Sequence, residues 1–579
     1  MNINNEYDVV IIGAGLAGLS LCRQLLLSET QKKILLIDNK PEIPGKKQKV
    51  GESLVQVGGY YFSKVLDLEE HLFNHQYLKY NLRFYWKTRD TNNQDFENYS
   101  QSFIRPLSNI CSYQLDRNVL ERHLFELNSK DSRVDLCHPI SALEIELSKQ
   151  DRHHIRFDFD GKTQKLTTEW LVDTSGRGQI LKRKQKSNVE SAIKHGSSWC
   201  WVEGLIDIEK LTKSSLSEIR KKKDRREQGM IPLWLATNHF MGEGFWFWVI
   251  PLQGMTSLGV VYDKALFPEK DVASAEQLIE WACREFPLFQ RDLPERRIVD
   301  SARFLSYAYD CRQTISPAKW AMSGMAGRFT DPLYSPGSDL IAFYNSMVVD
   351  AILTDDQAAL EEKSVVFEAL MKVFYEAYVP SYAISYDALG DQQVFTLKYA
   401  WELSIYFSFY VFPFINDFFT HLGFIQTFFR KFAQLGPINR NLQTFLSSYY
   451  QWRKSNGLGG SKVLNDFMEL TPLKTAETAF YEVGVNLEEA ERILDDHLGN
   501  LKEFARFIYA YISSQILEDE SVILNRAFVK SIKLKSFDFD PESIRENYRK
   551  CRTSDTVYKW KLDPHGMRKF AIQTELAQV

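Results

Sequence analysis

Three glycines in Gly13-Ala14-Gly15-Leu16-Ala17-Gly18 follow the apolar run Val9-Val10-Ile11-Ile12 and precede helix-spaced Leu19, Leu21 and Leu25. Gly13 permits a tight turn, Gly15 lets backbone approach a pyrophosphate, and Gly18 lets a helix pack closely on a sheet. The helix start then offers unpaired N–H groups, Leu16 and Ala17 among them, to phosphate. A second apolar run, Ile34-Leu35-Leu36-Ile37, ends in Asp38, whose carboxylate can accept hydrogen bonds from a ribose diol. These residues predict a bound dinucleotide and leave FAD and NAD both open. Lys79, amid Tyr77, Tyr80 and Phe84, is in isolation more often a snorkelling surface lysine, with a buried proton donor whose pKa desolvation lowers as the alternative. His71 and His75 stand one helical turn apart, but no further ligand completes a set, so no metal site is expected.

The elements that must position these residues recur far along the chain. Leu171-Val172-Asp173-Thr174-Ser175-Gly176-Arg177 and Trp320-Ala321-Met322-Ser323-Gly324 are apolar strands ending in small turns. A nucleotide-binding fold resumed twice after long insertions suits a flavoprotein better than a compact NAD module. The insertions, about 50–110 and 185–310, hold β-type runs such as Phe245–Ile250 and Ser257–Tyr262, which predict a substrate sheet. Beyond Asn345 strand signals fade and aromatic, amphipathic helical patterns take over. The expected architecture is α/β: a Rossmann-type FAD-binding domain over 1–345 with an inserted β-sheet substrate domain, and a helical C-terminal domain over 346–579.

The chain has 579 residues, of which 44% are hydrophobic, enough for a full core and more than one unit. Its 71 basic residues against 75 acidic ones leave a formal net charge of −4, so nothing global points to nucleic acid. The short basic runs Lys182-Arg183-Lys184 and Arg220–Arg226 read as solvated faces. Seven cysteines without a CxxC pair fit a reducing compartment, and the N-terminus lacks the pattern of a signal peptide, so the expected location is cytoplasmic. The uncharged stretch Leu403–Asn416 is too short to span a bilayer and contains Pro413, which predicts a buried helix and no transmembrane segment.

Across roughly residues 6–345 the chain resembles the flavin-dependent halogenases, a branch of the FAD monooxygenase fold. Gly13–Gly18 is similar to the family's FAD fingerprint, Gly51-Glu52-Ser53 to its turn near the flavin, Asp173–Arg177 to its second nucleotide turn, and Arg117 to an arginine near the cofactor. Trp246-Phe247-Trp248-Val249-Ile250-Pro251 resembles the WxWxIP motif that separates these halogenases from flavin hydroxylases, and alternation along a strand puts Trp246 and Trp248 on one face. Phe329–Gly337, with Asp331, Pro332, Tyr334 and Ser335, matches the flavin end of the family fold, and Gly324 a turn at the ribityl chain. Lys79 occupies the segment of the catalytic lysine. The resemblance implies that FAD as FADH2, O2 and halide together supply hypohalous acid, which Lys79 holds as a hydrogen-bonded ammonium or as a haloamine.

Departures from the pattern narrow the expectation. Tyr334 stands where tryptophan-specific members carry glutamate, which turns the expected substrate toward a phenol-like or carrier-tethered aromatic of specialised metabolism. Pro336 has no N–H, so of the two backbone donors the family offers to halide only Gly337 remains. The Gly324 turn lacks its usual acid, and the Ser53 turn its usual proline. A halogenase using chloride or bromide, served by a separate flavin reductase, is the first expectation. An FAD monooxygenase or dehydrogenase without halide use is the second, and a non-catalytic flavin-binding protein the third.

Overall fold

The computed structural model describes residues 3–28, 30–221, 231–536, 538–551 and 556–561. Strand Glu6–Ile12 runs through the glycine turn into helix Leu16–Leu27, which returns the chain to strand Ile34–Ile37, parallel to the first. Lys162–Asp173 pairs parallel on the other side, with Ile12 opposite Asp173, and Trp320–Met322 lies parallel beyond it. Val134–Cys137 closes the far edge, while Ser141–Glu146 and His153–Phe159 fold out antiparallel from Lys162–Asp173. Val9 and Ile11 enter one core and Val10 and Ile12 another, so the central strand is buried on both faces and reads as a continuous apolar run.

A second, eight-stranded sheet runs in the order Ile298–Phe304, His195–Glu203, Met255–Asp263, Phe245–Leu252, Thr237–Gly242, Leu82–Trp86, Ser100–Phe103, Leu464–Asp466. Both insertions therefore feed one sheet. The first also carries helices, including Glu69–His75, that cover the nucleotide domain. The last strand comes from the helical part and pairs parallel with Ser100–Phe103; three residues are too few for alternation to show in sequence.

Long helices Pro336–Ile352, Gln357–Ala383, Gln392–Tyr406, Leu435–Ser455 and Leu487–Leu517 build the rest. The uncharged stretch at Leu403–Asn416 ends the third of these, makes one wide turn at Phe407–Val411 and closes in the short helix Phe412–Ile415, with Phe409 against Phe428 and Phe407 against Phe480. Among the described residues no helix is long and apolar enough to cross a membrane. Of the basic runs, residues 222–226 lie outside the described residues. Lys182 is not solvated: it is buried, and its Nζ donates to the Gly327 carbonyl at 3.2 Å.

Helix Gln392–Tyr406 is started by Asp391, whose carboxylate accepts from the Gln393 and Val394 amides and pairs with Arg453 at 3.0 Å. Both side chains of that pair are at most a tenth exposed. Asp391→Ala removes a cap and strands a buried guanidinium, so thermal unfolding should show a loss of about 3–5 kcal/mol. A loss under about 1 kcal/mol, the range of an exposed pair, would contradict this placement.

Candidate active site

The site begins where strands Glu6–Ile12, Lys162–Asp173 and Trp320–Met322 end together. Gly13 has φ +104°, and a Cβ there would lie 2.6 Å from the Thr174 carbonyl oxygen; a Cβ on Gly18 would lie 2.0 Å from that of Gly13. A Cβ on Gly15 meets nothing within 4 Å. The turn is thus closed where helix meets strand and open where a pyrophosphate would lie against the first amides of helix Leu16–Leu27. Asp38 borders it, accepting from the Ala14 amide at 2.7 Å and the Lys40 amide at 2.8 Å. Thr174 Oγ donates toward the Ile12 and Gly13 carbonyls, locking the second turn onto the first. Asp173 is fully buried, and its oxygens accept from the Ser175 and Leu181 amides, so it shapes that second turn, in which Gly176 has φ +60°. Gly324, φ +63°, turns the third strand end past Ala17.

At the other end of this cleft, buried carboxylates join the nucleotide loops to the substrate sheet. Glu52 accepts from Trp201 Nε1 at 2.5 Å and from Ser257 Oγ at 2.9 Å, and Ser257 in turn accepts from Trp248 Nε1 at 3.0 Å. Asp331 contacts His195 Nδ1 at 2.6 Å and accepts from the Tyr386 hydroxyl at 3.1 Å; Tyr386 accepts from Trp246 Nε1 at 2.8 Å. The two indoles of Phe245–Leu252 lie on one face, their ring centroids 5.6 Å apart, each anchored to a different carboxylate relay. His195, Ser197, Trp199 and Trp201 share a face of their strand, and between the anchored His195 and Trp201 the buried Ser197 Oγ and Trp199 Nε1 have no partner; nor has Thr330 Oγ, beside Asp331. Orphaned donors there, together with the open cradle at Gly15, fit a flavin dinucleotide. Arg117 Nη1 donates to the Val50 carbonyl beneath Gly51, and its Nη2 pairs with the buried Glu121.

The segment after Asp331 is strained. Tyr334 and Ser335 both have positive φ, +69° and +61°, and helix Pro336–Ile352 starts directly after them. Leu333 N donates to Asp331, and Ser335 N to the Pro332 carbonyl. Gly337 sits in the helix's first turn against the Phe329 ring. Behind this turn lies a cavity lined by Lys79, Tyr334, Pro336, Asp339, Tyr378, Tyr382, Tyr399, Glu402 and Tyr406 among others.

Lys79 is buried and sits between that cavity and the Ser53 turn: its Nζ donates to Ser53 Oγ at 2.8 Å and to the Leu54 carbonyl at 2.5 Å. Burial lowers its pKa to about 7, against the opposing pull of the Asp339 carboxylate. Burial likewise raises Asp339 to about 7 and Glu52 to about 8, although hydrogen bonds to each favour the charged form. The Tyr334, Tyr378, Tyr382 and Tyr406 phenols are held well above 10, first by burial and then by neighbouring charge, so they stay neutral donors. His71 stacks on His123 and packs at a tilt against His75, and no group of the described residues could hold a metal ion.

The two sheets, the cradle and the relays fit an FAD-dependent oxidoreductase. The chain is 26% identical over 438 residues to the flavin-dependent halogenase chlA of Dictyostelium discoideum, covering 70% of each. It is 24% identical over 397 residues to the tetracycline 7-halogenase of Kitasatospora aureofaciens, covering 63% of this chain and 67% of that one. The crystal structure of halogenase PltM with phloroglucinol and FAD superposes with a TM-score of 0.59 at 17% identity, over 86% of this chain and 96% of that one. A Cytophaga hutchinsonii flavoprotein/dehydrogenase shares the fold at TM-score 0.51 and 14% identity. No family model matches. The chain is thus similar over most of its length to flavin-dependent halogenases, and its cofactor is FAD.

Sequence reasoning missed His195, Ser257, Asp339, Tyr386 and Glu402. Asp339 alone left a signal, as the one acid on the otherwise apolar start of helix Pro336–Ile352. The others are brought in by pairing and packing between distant segments.

Two outcomes follow from this geometry. Gly18→Ala forces backbone apart at a 2.0 Å contact, so the purified variant should lose FAD, read from flavin absorbance after desalting; full retention would refute the cradle. For Glu52 the folded pKa lies above its ordinary value of 4.5, so its contribution to stability is complete below pH 4.5 and drains away as pH rises through about 8. Urea midpoints of wild type minus Glu52→Gln should therefore fall between pH 5 and 8.5, and a constant difference would show Glu52 ionised throughout.

Proposed function

We propose that this enzyme is an FADH2-dependent halogenase that places chlorine or bromine on an electron-rich, phenol-like aromatic, with Lys79 delivering the halogen. The observation that carries the reading is the position of Lys79: a buried amine bonded to Ser53 in the flavin turn and lining the substrate chamber. When bound and reduced, the flavin supplies with O2 and halide an electrophilic halogen as hypohalous acid. Lys79 Nζ then acts on it. Two of its donors are fixed on Ser53 and Leu54, which aims the remaining valence and holds the reagent against a ring.

With a pKa near 7, Nζ carries its proton in part of the population at neutral pH, and it can give or hold that proton without a large penalty. Contrary to the expectation from sequence, Trp246 and Trp248, anchored through Tyr386 and Ser257, do not line the chamber; its wall is formed by the phenols on the helices. The cradle accounts for one dinucleotide, which supports a separate reductase as the source of reduced flavin. A free or carrier-tethered aromatic is the substrate, and cysteines that are all unpaired support a cytoplasmic setting. We read the helical part, 346–579, as the domain that closes the chamber. Gly337 is read as the remaining backbone donor to halide; Pro336, which offers no N–H, favours as a second reading a monooxygenase that uses no halide.

Lys79→Ala, assayed with FAD, a flavin reductase, NADH, O2 and halide, should lose halogenated product by about 100-fold or more while FAD affinity stays within about twofold. Undiminished product would reject the lysine assignment. NADH oxidation by the pure protein alone would reject the separate reductase.

A further inference from the structure

Glu402 lies on helix Gln392–Tyr406 and lines the chamber, with its side chain only 10% exposed. Its Oε1 is the hub of a buried polar network: it accepts from Lys398 Nζ at 2.5 Å and from Gln443 Nε2 at 3.0 Å. Lys398, fully buried, also donates to the Ser381 carbonyl, and Gln443 accepts from the Ser385 hydroxyl. This network fixes the carboxylate, and its other oxygen is left free: Oε2 is buried without a hydrogen-bond partner. The hydroxyl of Tyr334, which lines the same cavity, likewise has no partner at good hydrogen-bond geometry, while Glu402's charge and a loose contact with its carboxylate add to burial in raising its pKa. The strained backbone at Tyr334 and the packing of its ring against Tyr399, centroids 4.9 Å apart, hold that phenol in place.

A buried acceptor and a buried donor, side by side without a well-formed hydrogen bond, are costly unless a ligand completes them. We infer that Glu402 and Tyr334 form a clamp for a hydroxyl of the substrate, which donates to Glu402 Oε2 and accepts from the Tyr334 phenol. One group of the right polarity satisfies both orphans. An ether oxygen at the same place accepts from Tyr334 and leaves the carboxylate unpaired, so the clamp selects aromatics with a free hydroxyl against their O-methyl analogues. Glu402 is thereby a positioning residue, turning one edge of the ring toward Lys79. The inference rests on the proposed aromatic substrate and adds the group by which that substrate is held.

The test is equilibrium dialysis of 2-naphthol and of its methyl ether, 2-methoxynaphthalene, against the full chain loaded with FAD, for wild type, Glu402→Gln and Tyr334→Phe. Flavin retention reports that each variant is folded. A hydrogen bond to a charged, buried acceptor predicts that wild type binds 2-naphthol about 10- to 100-fold more tightly than the ether, and that this ratio drops about tenfold or more in Glu402→Gln and severalfold in Tyr334→Phe. A wild-type ratio near one, or a ratio unchanged in the variants, overturns the clamp and leaves Tyr334 and Glu402 as a pair that closes on itself. If Glu402→Gln does not retain FAD, Tyr334→Phe decides alone: a lower ratio supports the clamp and an equal one overturns it. Halogenated product with a ratio indifferent to both residues removes the clamp and keeps the halogenase. A residue-dependent ratio with no halogenation of any phenol removes the halogenase and keeps the clamp.

Discussion

The burial of Glu52 holds this site together. Its carboxyl sits on the flavin turn, yet both oxygens are committed to the substrate sheet, one to Trp201 directly and the other to Trp248 through Ser257. Any shift of the turn relative to the sheet would strand a buried carboxyl and two indole N–H groups, so the geometry is over-determined. Asp331 does the same on the opposite flank, reaching His195 on the sheet and Tyr386 on the helices. Three parts of the chain, far apart in sequence, are thus pinned around one cleft.

Desolvation then sets the chemistry. The same lack of water that raises Glu52 to about 8 brings Lys79 down to about 7 and Asp339 up to about 7. An amine and a carboxyl that differ widely in solution are both drawn toward neutral pH by burial in the chamber. The same burial raises the phenols around them, out of the titratable range. The result is a largely apolar vessel with a small number of groups able to move a proton and many phenols that stay neutral and only hydrogen-bond, a division of labour suited to holding a reactive electrophile beside a ring.

How much of this was legible in the sequence follows from the range of the interactions. Gly13, Gly15, Gly18 and Asp38 are read within one strand–helix–strand unit, where spacing and geometry are nearly the same statement. Trp246 and Trp248 are read from alternation, which places them on one face but does not say what anchors them. Asp173 has the position of a nucleotide-contacting acid, whereas in the fold its oxygens serve the turn itself. The relay partners His195, Ser257 and Tyr386, and the clamp residue Glu402, depend on packing over separations that no local period encodes. Strand Leu464–Asp466 was hidden for a different reason: it is too short to alternate, and it exists because Ser100–Phe103 offers an edge.

The central claim is that the flavin end and the chamber act together to transfer a halogen. The most direct test is to give the protein FAD, a reductase, NADH and O2 with a panel of phenolic and carrier-bound aromatics, with and without chloride or bromide, and to weigh the products. The account requires a halide-dependent product with the isotope pattern of one added halogen. A halide-independent gain of one oxygen or loss of two hydrogens would contradict it.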